Sequence, residues 1–438
     1  MSSIVRPARL KPASPSRRMR NRPHDFLAMA VIAVICLFCM QASWRRSLAE
    51  HWIADPKPEG LELAVQLTPG NGEGWIRLGQ ALTGRGDDPQ RAMDAIRRGV
   101  ELGPYNPEAW IALGLETEAQ GNPELAEQHF KKAFEVDHGF EARWSLANFY
   151  LRQGRTEEFW RWIRETIAFS PRGFYPGVEL CWRASDDHAA ILENAIADDP
   201  DLNRRYFAYL RASGRVEAAA AVWERVKDNL IEADRVDALW LLAAWLRQGR
   251  RSDALDIWNR LIRAAILPYE LLSPETGVVL TNADLRQPPT GEGFDWQLFP
   301  SDDIRPQIEP LGDERSVVFH FSGMQDQSSP LLRQFVPLQP GAKYRFDFRY
   351  SADELASNTG VRWTAYAGIA ENTEVLARTE SLAASPDMRL MSFDVTSPKE
   401  GLISLVLEYE RFPGTTRKSG RFRASHFAFY PLDREAPR

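Results

Sequence analysis

Cysteine is scarce in this chain, and the few copies present are poorly placed for chemistry. Only Cys36, Cys39 and Cys181 occur among 438 residues. The first two lie in an apolar run, so the rest of the chain has one cysteine and can form no intramolecular disulfide. No Cys/His pattern has the spacing of a metal site. The sequence therefore predicts no metal and no cofactor, and Cys181 is interpreted as a small buried hydrophobic residue.

Catalytic motifs are also missing. The chain has no G-x-S-x-G, no H-E-x-x-H, no phosphate loop and no G-x-G-x-x-G. Two acidic pairs, Asp186-Asp187 and Asp198-Asp199, stand where helix ends are expected, and acidic residues commonly cap helices there. Glycoside hydrolysis needs two carboxyl groups that face each other across a sugar, and no pattern in the sequence indicates such a pair. The sequence therefore favours a protein that is not an enzyme.

The charge is unevenly distributed along the chain. The whole sequence has 54 basic and 60 acidic residues, a net charge of −6. Residues 1–24 contain 7 basic residues and no acidic one, so the remainder has 47 basic residues (54 minus 7) and a net charge of −13. A surface this acidic argues against nucleic acid as a partner.

The N-terminal 44 residues have the composition of a tail followed by a membrane anchor. Residues 1–24 are rich in Arg, Pro and Ser, a composition that does not pack, and are predicted to be a disordered cytoplasmic tail. No charge interrupts Phe26 to Trp44, which is just long enough for a helix to cross a bilayer. We therefore predict a transmembrane helix over residues 25–44. The basic cluster before it predicts a cytoplasmic N-terminus.

A cleavable signal peptide is the alternative interpretation of this segment. Ser47-Leu48-Ala49 could be cut, but this site lies late and follows Arg45 and Arg46 directly. These features favour an uncleaved anchor. The protein is then a single-pass protein of a bacterial inner membrane, with its bulk in the periplasm or otherwise outside the cytoplasm.

Residues 59–268 repeat a pattern of aromatic and small residues. The best copy and the one before it supply the residues expected to pack the helices: Trp110, Leu113, Gly114, Ala126, Phe130 and Ala133, then Trp75, Leu78 and Gly79. This pattern resembles the tetratricopeptide repeat, with its W-x2-L-G and A-x3-F signatures. The resemblance implies six stacked helix pairs in an α-solenoid, in which Gly114 and Ala126 allow close approach. A fourth, weaker copy is placed on Ala190, Asn194 and Ala197.

The groove of such a solenoid usually holds a protein partner. The carboxylate-clamp subgroup of these repeats uses Lys and Asn on the first helices, whereas the equivalent positions here are Ile111 and Leu115. The resemblance therefore implies an apolar groove, which meets another protein or another part of this chain.

From about residue 290 the periodicity changes from helical to alternating. Residues 269–290 are rich in proline and are interpreted as a linker or as the start of a new domain. Short alternating runs such as Tyr344–Tyr350 and Val361–Ala367, separated by turns, predict an antiparallel β-sandwich over residues 275–433. The predicted fold is thus multidomain α + β.

The stretch from Gln334 to Tyr344 reads Q-x-V-x-L-x-P-G-x-x-Y. It resembles the jelly-roll carbohydrate-binding modules that are often attached to polysaccharide-active enzymes. Such modules often carry an Asp in the final strand, whereas this chain has Ser425-His426. The resemblance implies a jelly-roll sandwich that binds glycan.

Two strands supply the candidate glycan-binding residues. Their polar faces carry Arg345, Asp347 and Arg349 on one strand and Arg362 and Tyr366 on the other. A polar face with an occasional aromatic residue offers a sugar both hydrogen bonds and a stacking ring, although a simple solvated face has the same pattern. The opposite faces are predicted to be core and carry Phe346 and Trp363, whereas Trp296 fits either environment.

The combination of anchor, repeats and sandwich resembles accessory proteins of bacterial exopolysaccharide or surface-glycan export systems. The resemblance implies a scaffold whose repeats bind protein partners and whose sandwich touches polysaccharide. One alternative is a structural assembly factor for an envelope complex that binds no glycan. A glycan-active enzyme is the least favoured alternative.

Overall fold

The computed structural model describes residues 23–86, 88–312, 314–369, 374–412 and 414–432. Helices come first and two antiparallel sheets follow, so the predicted multidomain α + β layout is confirmed. Almost all of the predicted basic tail lies outside the described residues. The chain folds into two compact units, residues 1–177 and 178–438, which are described separately below.

The helical region begins with a long helix, a short helix and six helix pairs. The first two helices are α1 (Pro23–Ile53) and α2 (Pro58–Leu67). The pairs are α3 (Gly72–Arg85) with α4 (Pro89–Leu102), α5 (Pro107–Ala119) with α6 (Pro123–Val136), α7 (Phe140–Arg152) with α8 (Thr156–Phe169), α9 (Pro171–Ala184) with α10 (His188–Asn194), α11 (Pro200–Ala212) with α12 (Val216–Val226), and α13 (Arg235–Arg247) with α14 (Arg251–Arg263).

Helix α1 has two parts with different surroundings. Within the described residues it is the one helix long and apolar enough to cross a membrane, over Phe26–Ile53, and its apolar window is not buried. Its last turns are different, because Ala49 and Ile53 are buried in a cluster with Ala64 of α2. The apolar helix therefore continues without a break into the packed helical region.

The first two helix pairs repeat the same terminal contacts. Asn71 and Asn106 cap α3 and α5, each accepting a hydrogen bond from the backbone N–H two residues later. Each pair also has a tryptophan whose indole N–H donates to a proline carbonyl six residues earlier, at 2.9 Å for Trp75 and 2.8 Å for Trp110. The residues that carry the sequence signature thus fix how each pair begins.

Glycine is required where the two helices of these pairs touch. A Cβ on Gly114 would lie 2.8 Å from Cε1 of Phe130, and one on Gly79 would lie 2.4 Å from Cγ1 of Ile96. The sequence pattern predicts that Gly114 and Ala126 face each other where the helices touch, whereas in the structure Gly114 faces Phe130. Ala126, Phe130 and their neighbour Ala133 are all fully buried.

The fourth helix pair departs from the predicted register. Helix α10 has 7 residues and ends at Asn194, so Ala197 lies beyond it. Ala190 and Asn194 are half-buried, whereas the fully buried positions are Ile191 and Ala195. The cap explains the difference, because Asp187 accepts hydrogen bonds from the first N–H groups and starts the helix there.

The β-region consists of two five-stranded antiparallel sheets. The strands are β1 (Gln297–Leu298), β2 (Ile304–Leu311), β3 (Glu314–Ser322), β4 (Ser328–Pro337), β5 (Lys343–Asp353), β6 (Val361–Ala367), β7 (Val375–Arg378), β8 (Ser385–Thr396), β9 (Leu402–Glu410) and β10 (Ser419–Pro431). The first sheet has the order β1-β4-β9-β6-β7 and the second β2-β3-β10-β5-β8. Their inner faces share one core, which includes Trp296, Phe346 and Trp363.

In the second unit, the last helix pair packs directly against the sandwich. Arg251 of α14 donates hydrogen bonds to the carbonyl oxygens of Leu338 and Gly401. The proline-rich segment between them is also held, since the Asn259 side chain bonds both backbone polar groups of Leu272, at 2.8 and 2.9 Å. Of the two interpretations drawn from its composition, a linker or the start of a new domain, these contacts favour a packed segment over a free linker.

Candidate functional site

The five candidate glycan-binding residues do not form one site. Arg345, Asp347 and Arg349 lie on β5 in the second sheet, whereas Arg362 and Tyr366 lie on β6 in the first. The inner faces of the two sheets meet, so the outer faces point in opposite directions. The sequence left open whether the two strands adjoin, and in the structure they do not.

The candidate residues on β5 form cross-strand pairs on their own sheet. Arg345 donates to both carboxylate oxygens of Asp394 on β8, at 2.7 and 3.0 Å, and these hydrogen bonds lower the pKa of Asp394. Asp347 accepts a hydrogen bond from Tyr430 Oη at 2.9 Å, and Arg349 is exposed. Opposite charges placed across neighbouring strands stabilise a solvated sheet face.

The candidate residues on β6 converge on one carboxylate of the neighbouring strand. Glu408 of β9 accepts hydrogen bonds from Thr364 Oγ1 at 2.6 Å, Tyr366 Oη at 2.9 Å and Arg362 Nε at 3.3 Å. Arg362 also pairs with Glu410. This network holds the Tyr366 ring and the Arg362 guanidinium in fixed orientations on the outer face.

Tyr366 stays protonated in this network. Burial raises the pKa of its phenol, and the hydrogen bond to Glu408 raises it further, because the phenolate would lie beside a carboxylate. The hydroxyl therefore remains a donor at ordinary pH, and the half-buried ring is available for stacking.

The outer face around Glu408 is concave. It contains a cavity of about 350 Å³ lined by outward side chains of β4, β6 and β9 and by the loop after β1. Sequence reasoning missed two of the lining residues, Phe299 and Arg333. The Arg333 guanidinium lies 5.2 Å from the centre of the Phe299 ring, within cation–π distance. Arg333 directly precedes the Gln334–Tyr344 motif in the sequence, so no signal marked it. We call this cavity the sheet cleft.

The helical region presents an apolar surface on α5. Leu115 is 47% exposed and Ile111 is half-buried, so both side chains are available for contact with a partner.

The remaining candidate groups have structural roles. Asp187 and Asp199 cap α10 and α11 through their side chains, as expected of acidic residues at helix starts. Cys181 is fully buried, and burial raises the pKa of its thiol to about 12. A thiol with so high a pKa is not a nucleophile at ordinary pH.

Family comparisons agree with the helix pairs. Residues 72–116 and 111–173 each match a family model described as "Tetratricopeptide repeat". Residues 72–173 contain tetratricopeptide repeats. These repeats support a protein-interaction scaffold, since stacked repeats present an extended surface to partners. No curated protein matches the chain significantly.

Several solved structures resemble parts of the chain. "Crystal structure of PilW, widely conserved type IV pilus biogenesis factor" is 13% identical over 51% of this chain and 92% of that one, with a TM-score of 0.27. "Functional Characterization of Pseudomonas Aeruginosa pilF" is 17% identical over 44% of this chain and 92% of that one, with a TM-score of 0.24. "CBM4 structure and function" is 12% identical over 34% of this chain and 98% of that one, with a TM-score of 0.27.

Proposed function

We propose that this protein is a membrane-anchored scaffold of the bacterial envelope that works in the biosynthesis or export of a surface polysaccharide. In this proposal, α1 spans the inner membrane, the tetratricopeptide repeats bind protein partners, and the sheet cleft binds glycan. The single observation that carries the glycan proposal is the concave outer face around Glu408, with Tyr366 and Arg333 as ordered side chains.

The anchor proposal is supported by the packing of α1. Cleavage after Ala49 would cut the helix between two buried residues, Ala49 and Ile53, which pack on α2. Cleavage there would also remove Ala49 from this packed cluster, together with the preceding turns of α1. The packing therefore favours the uncleaved anchor over the cleavable signal peptide.

We expect a single-pass protein with its N-terminus inside and its C-terminus outside the cytoplasm. A reporter enzyme active only outside the cytoplasm should be active when fused after Arg438 and inactive when fused after His24. The physical reason is the basic cluster before the apolar run, which stays on the cytoplasmic side. The protein should also remain in the membrane after carbonate washing. Recovery in the soluble fraction, with an N-terminus near Glu50, would contradict the anchor.

The sheet cleft suits a sugar polymer for chemical reasons. Sugars stack their apolar faces on aromatic rings, while their hydroxyls bond to planar polar groups. The cleft offers the rings of Phe299 and Tyr366 beside the guanidinium of Arg333 and the carboxylate of Glu408. Because the Glu408 network already fixes Tyr366, little ordering is needed when a ligand binds.

We expect the full-length protein, solubilised in detergent, to be retarded in a gel that contains the exopolysaccharide of its own host. Tyr366→Ala should weaken binding roughly 2- to 30-fold, since stacking and cation–π contacts contribute about 0.5–2 kcal/mol. Tyr430→Ala is the matched control, because Tyr430 is also half-buried and bonds a carboxylate, but it lies on the other sheet. If the two variants migrated equally in the gel, the sheet cleft would not be the glycan-binding site.

One observation favours the assembly-factor alternative. Glu408 is 20% exposed and already accepts three hydrogen bonds from its own strand neighbours. A network satisfied within the chain also suits a purely structural sheet face. In that case the gel experiment finds no retardation by any glycan, and the repeats alone carry the function.

A further inference from the structure

A cavity of about 930 Å³ lies beside helix α1 in the first unit. One wall is a single face of α1, because its lining residues Phe38, Ala42 and Arg45 recur at helical spacing. The opposite wall is the connection between α2 and α3, from Leu67 to Gly72. The face of α1 that packs on α2 in its last turns is therefore left open in the turns before them. We call this space the α1 cavity.

The α1 cavity extends across the level at which the proposed membrane span ends. The uncharged run ends at Trp44. Along the helix axis, Phe38 lies about 9 Å inside that end and Ile53 about 14 Å outside it, at a rise of 1.5 Å per residue. The headgroup layer on each side of a bilayer is about 5–8 Å thick. In the proposed topology, the cavity therefore meets both the headgroups and the upper acyl chains of one leaflet.

The part of the α1 cavity inside the uncharged run suits a lipid tail and its ester groups. Phe38 and Ala42 are apolar, whereas Gln41 places an amide on the same wall. A polar group at this depth needs a hydrogen-bond partner, because lipid tails provide none. The ester oxygens of a phospholipid lie at the boundary of the apolar layer and are acceptors for such an amide.

The part of the cavity beyond the run is lined by three arginines and two glutamates: Arg45, Arg46, Arg77, Glu50 and Glu73. Arg77 pairs with Glu73 at 2.9 Å and Arg46 with Glu50 at 3.5 Å, and all four side chains are about half exposed or more. Exposed pairs of this kind are weak and exchange readily. Arg45 is exposed and forms no ion pair with the residues that the structure describes. The cavity therefore combines an available cation with carboxylates of both α1 and α3.

Contacts outside the charged lining hold the walls of the cavity in place. Arg77 Nη1 donates a hydrogen bond to the carbonyl oxygen of Ile53 at 3.3 Å, which joins α3 to the end of α1. Asn71 Oδ1 accepts a hydrogen bond from the Glu73 N–H at 3.1 Å, which determines where α3 begins. Because the walls are already positioned, little ordering is needed when a ligand enters.

We propose that the α1 cavity binds one zwitterionic phospholipid, of the phosphatidylethanolamine type, in the leaflet where α1 leaves the membrane. This inference rests on the proposed function, in which α1 is the anchor. Arg45 binds the phosphate, Glu73 accepts hydrogen bonds from the ammonium group, and Phe38 contacts an acyl chain. A headgroup with both charges matches a lining with both charges. The bound lipid then ties the first helix pair to the membrane surface.

The test measures lipid binding to the full-length protein in detergent by native mass spectrometry. Phosphatidylethanolamine should bind more tightly than phosphatidylcholine with the same acyl chains, because a methylated ammonium cannot donate a hydrogen bond to a carboxylate. Arg45→Gln should weaken binding of both lipids about 2- to 5-fold, the range of an exposed ion pair. Glu73→Gln should weaken binding of phosphatidylethanolamine alone, by a similar factor.

Glu108→Gln is the matched control for Glu73→Gln. Glu108 occupies in α5 the position that Glu73 has in α3, two residues after a capping asparagine, and both side chains are exposed. Only Glu73 lines the α1 cavity. Arg98→Gln, which changes an exposed arginine of α4 outside the cavity, is the control for Arg45→Gln. Both controls should bind the two lipids like the wild type, and thermal melting checks that every variant is folded.

The remaining outcomes separate this inference from the proposed function. If carbonate washing releases the protein from the membrane, α1 is not an anchor and both fail. If the protein stays in the membrane but binds both lipids equally, whatever residue stands at positions 45 and 73, ordinary bilayer lipid surrounds α1 and only the cavity site is overturned. Tighter binding of phosphatidylglycerol than of phosphatidylethanolamine would overturn the zwitterionic class. Inorganic phosphate that competes as well as lipid would show an ion site instead of a lipid site.

Discussion

Trp363→Ala is expected to destabilise the sandwich by about 3–5 kcal/mol, the usual cost of removing a large buried aromatic side chain. Trp363 is fully buried between the two sheets. Its ring centre lies 5.0 Å from that of Phe346 and 5.8 Å from that of Phe348. The indole N–H has no hydrogen-bond partner in the described structure, so the cost comes from lost packing and from the cavity that remains.

The effect is measured as a fall in the melting temperature followed by near-ultraviolet circular dichroism. For a unit of this size, 3–5 kcal/mol corresponds to a fall of roughly 6–20 °C. Tyr366→Ala is the control on the same strand. It lies on the outer face and loses one hydrogen bond, worth about 0.5–1.5 kcal/mol. If the two variants melted at the same temperature, the assignment of inner and outer faces on β6 would be wrong.

Alternation along single strands was enough to predict the core of the sandwich. Tyr344, Phe346, Phe348 and Tyr350 alternate with polar residues in the sequence, and all four are buried. Successive side chains of a strand point to opposite faces, so the face of a residue depends only on whether its position is odd or even along the strand. The same argument predicted that Trp363 is buried and that Tyr366 is not.

The pairing of strands was not predictable in the same way. β5 and β6 follow each other in sequence, yet residues 354–360 carry the chain from one sheet to the other. The alternation along a strand predicts the face on which a residue lies, but it does not predict the sheet to which the strand belongs. The sequence therefore left open whether the outward residues of β5 and β6 are neighbours, and the structure places them on opposite sides of the sandwich.

The same limit explains why Phe299 and Phe335 were missed. In the sequence each is an isolated aromatic residue, and in the structure each is half-buried. Isolated aromatic residues are common on protein surfaces. Phe299 and Phe335 become significant only because they flank Arg333, which is an effect of tertiary structure. By contrast, the helix pairs were predictable because each pair depends on contacts within about 30 residues of sequence, such as that of Gly114 with Phe130.

Trp258→Ala should destabilise the last helix pair and the sandwich together, again by about 3–5 kcal/mol. Trp258 is fully buried on α14. Its ring stacks on Tyr269 at 5.7 Å and meets Phe294 edge-on at 5.9 Å. Gly293 lies so close that a Cβ there would be 2.5 Å from Cζ3 of Trp258. One side chain thus joins the helices to the segment that leads into the sandwich.

The prediction separates two views of where the domains divide. Composition places a boundary near residues 269–274, whereas the compact unit runs from 178 to 438. If the unit is cooperative, the helical signal in the far-ultraviolet and the aromatic signal of the sandwich should fall together in Trp258→Ala, by roughly 6–20 °C. Trp240→Ala, which removes a half-buried tryptophan from the same helix pair, should leave both signals nearly unchanged. A Trp258→Ala variant that lowers only the helical transition would show that the sandwich folds independently, as composition alone suggests.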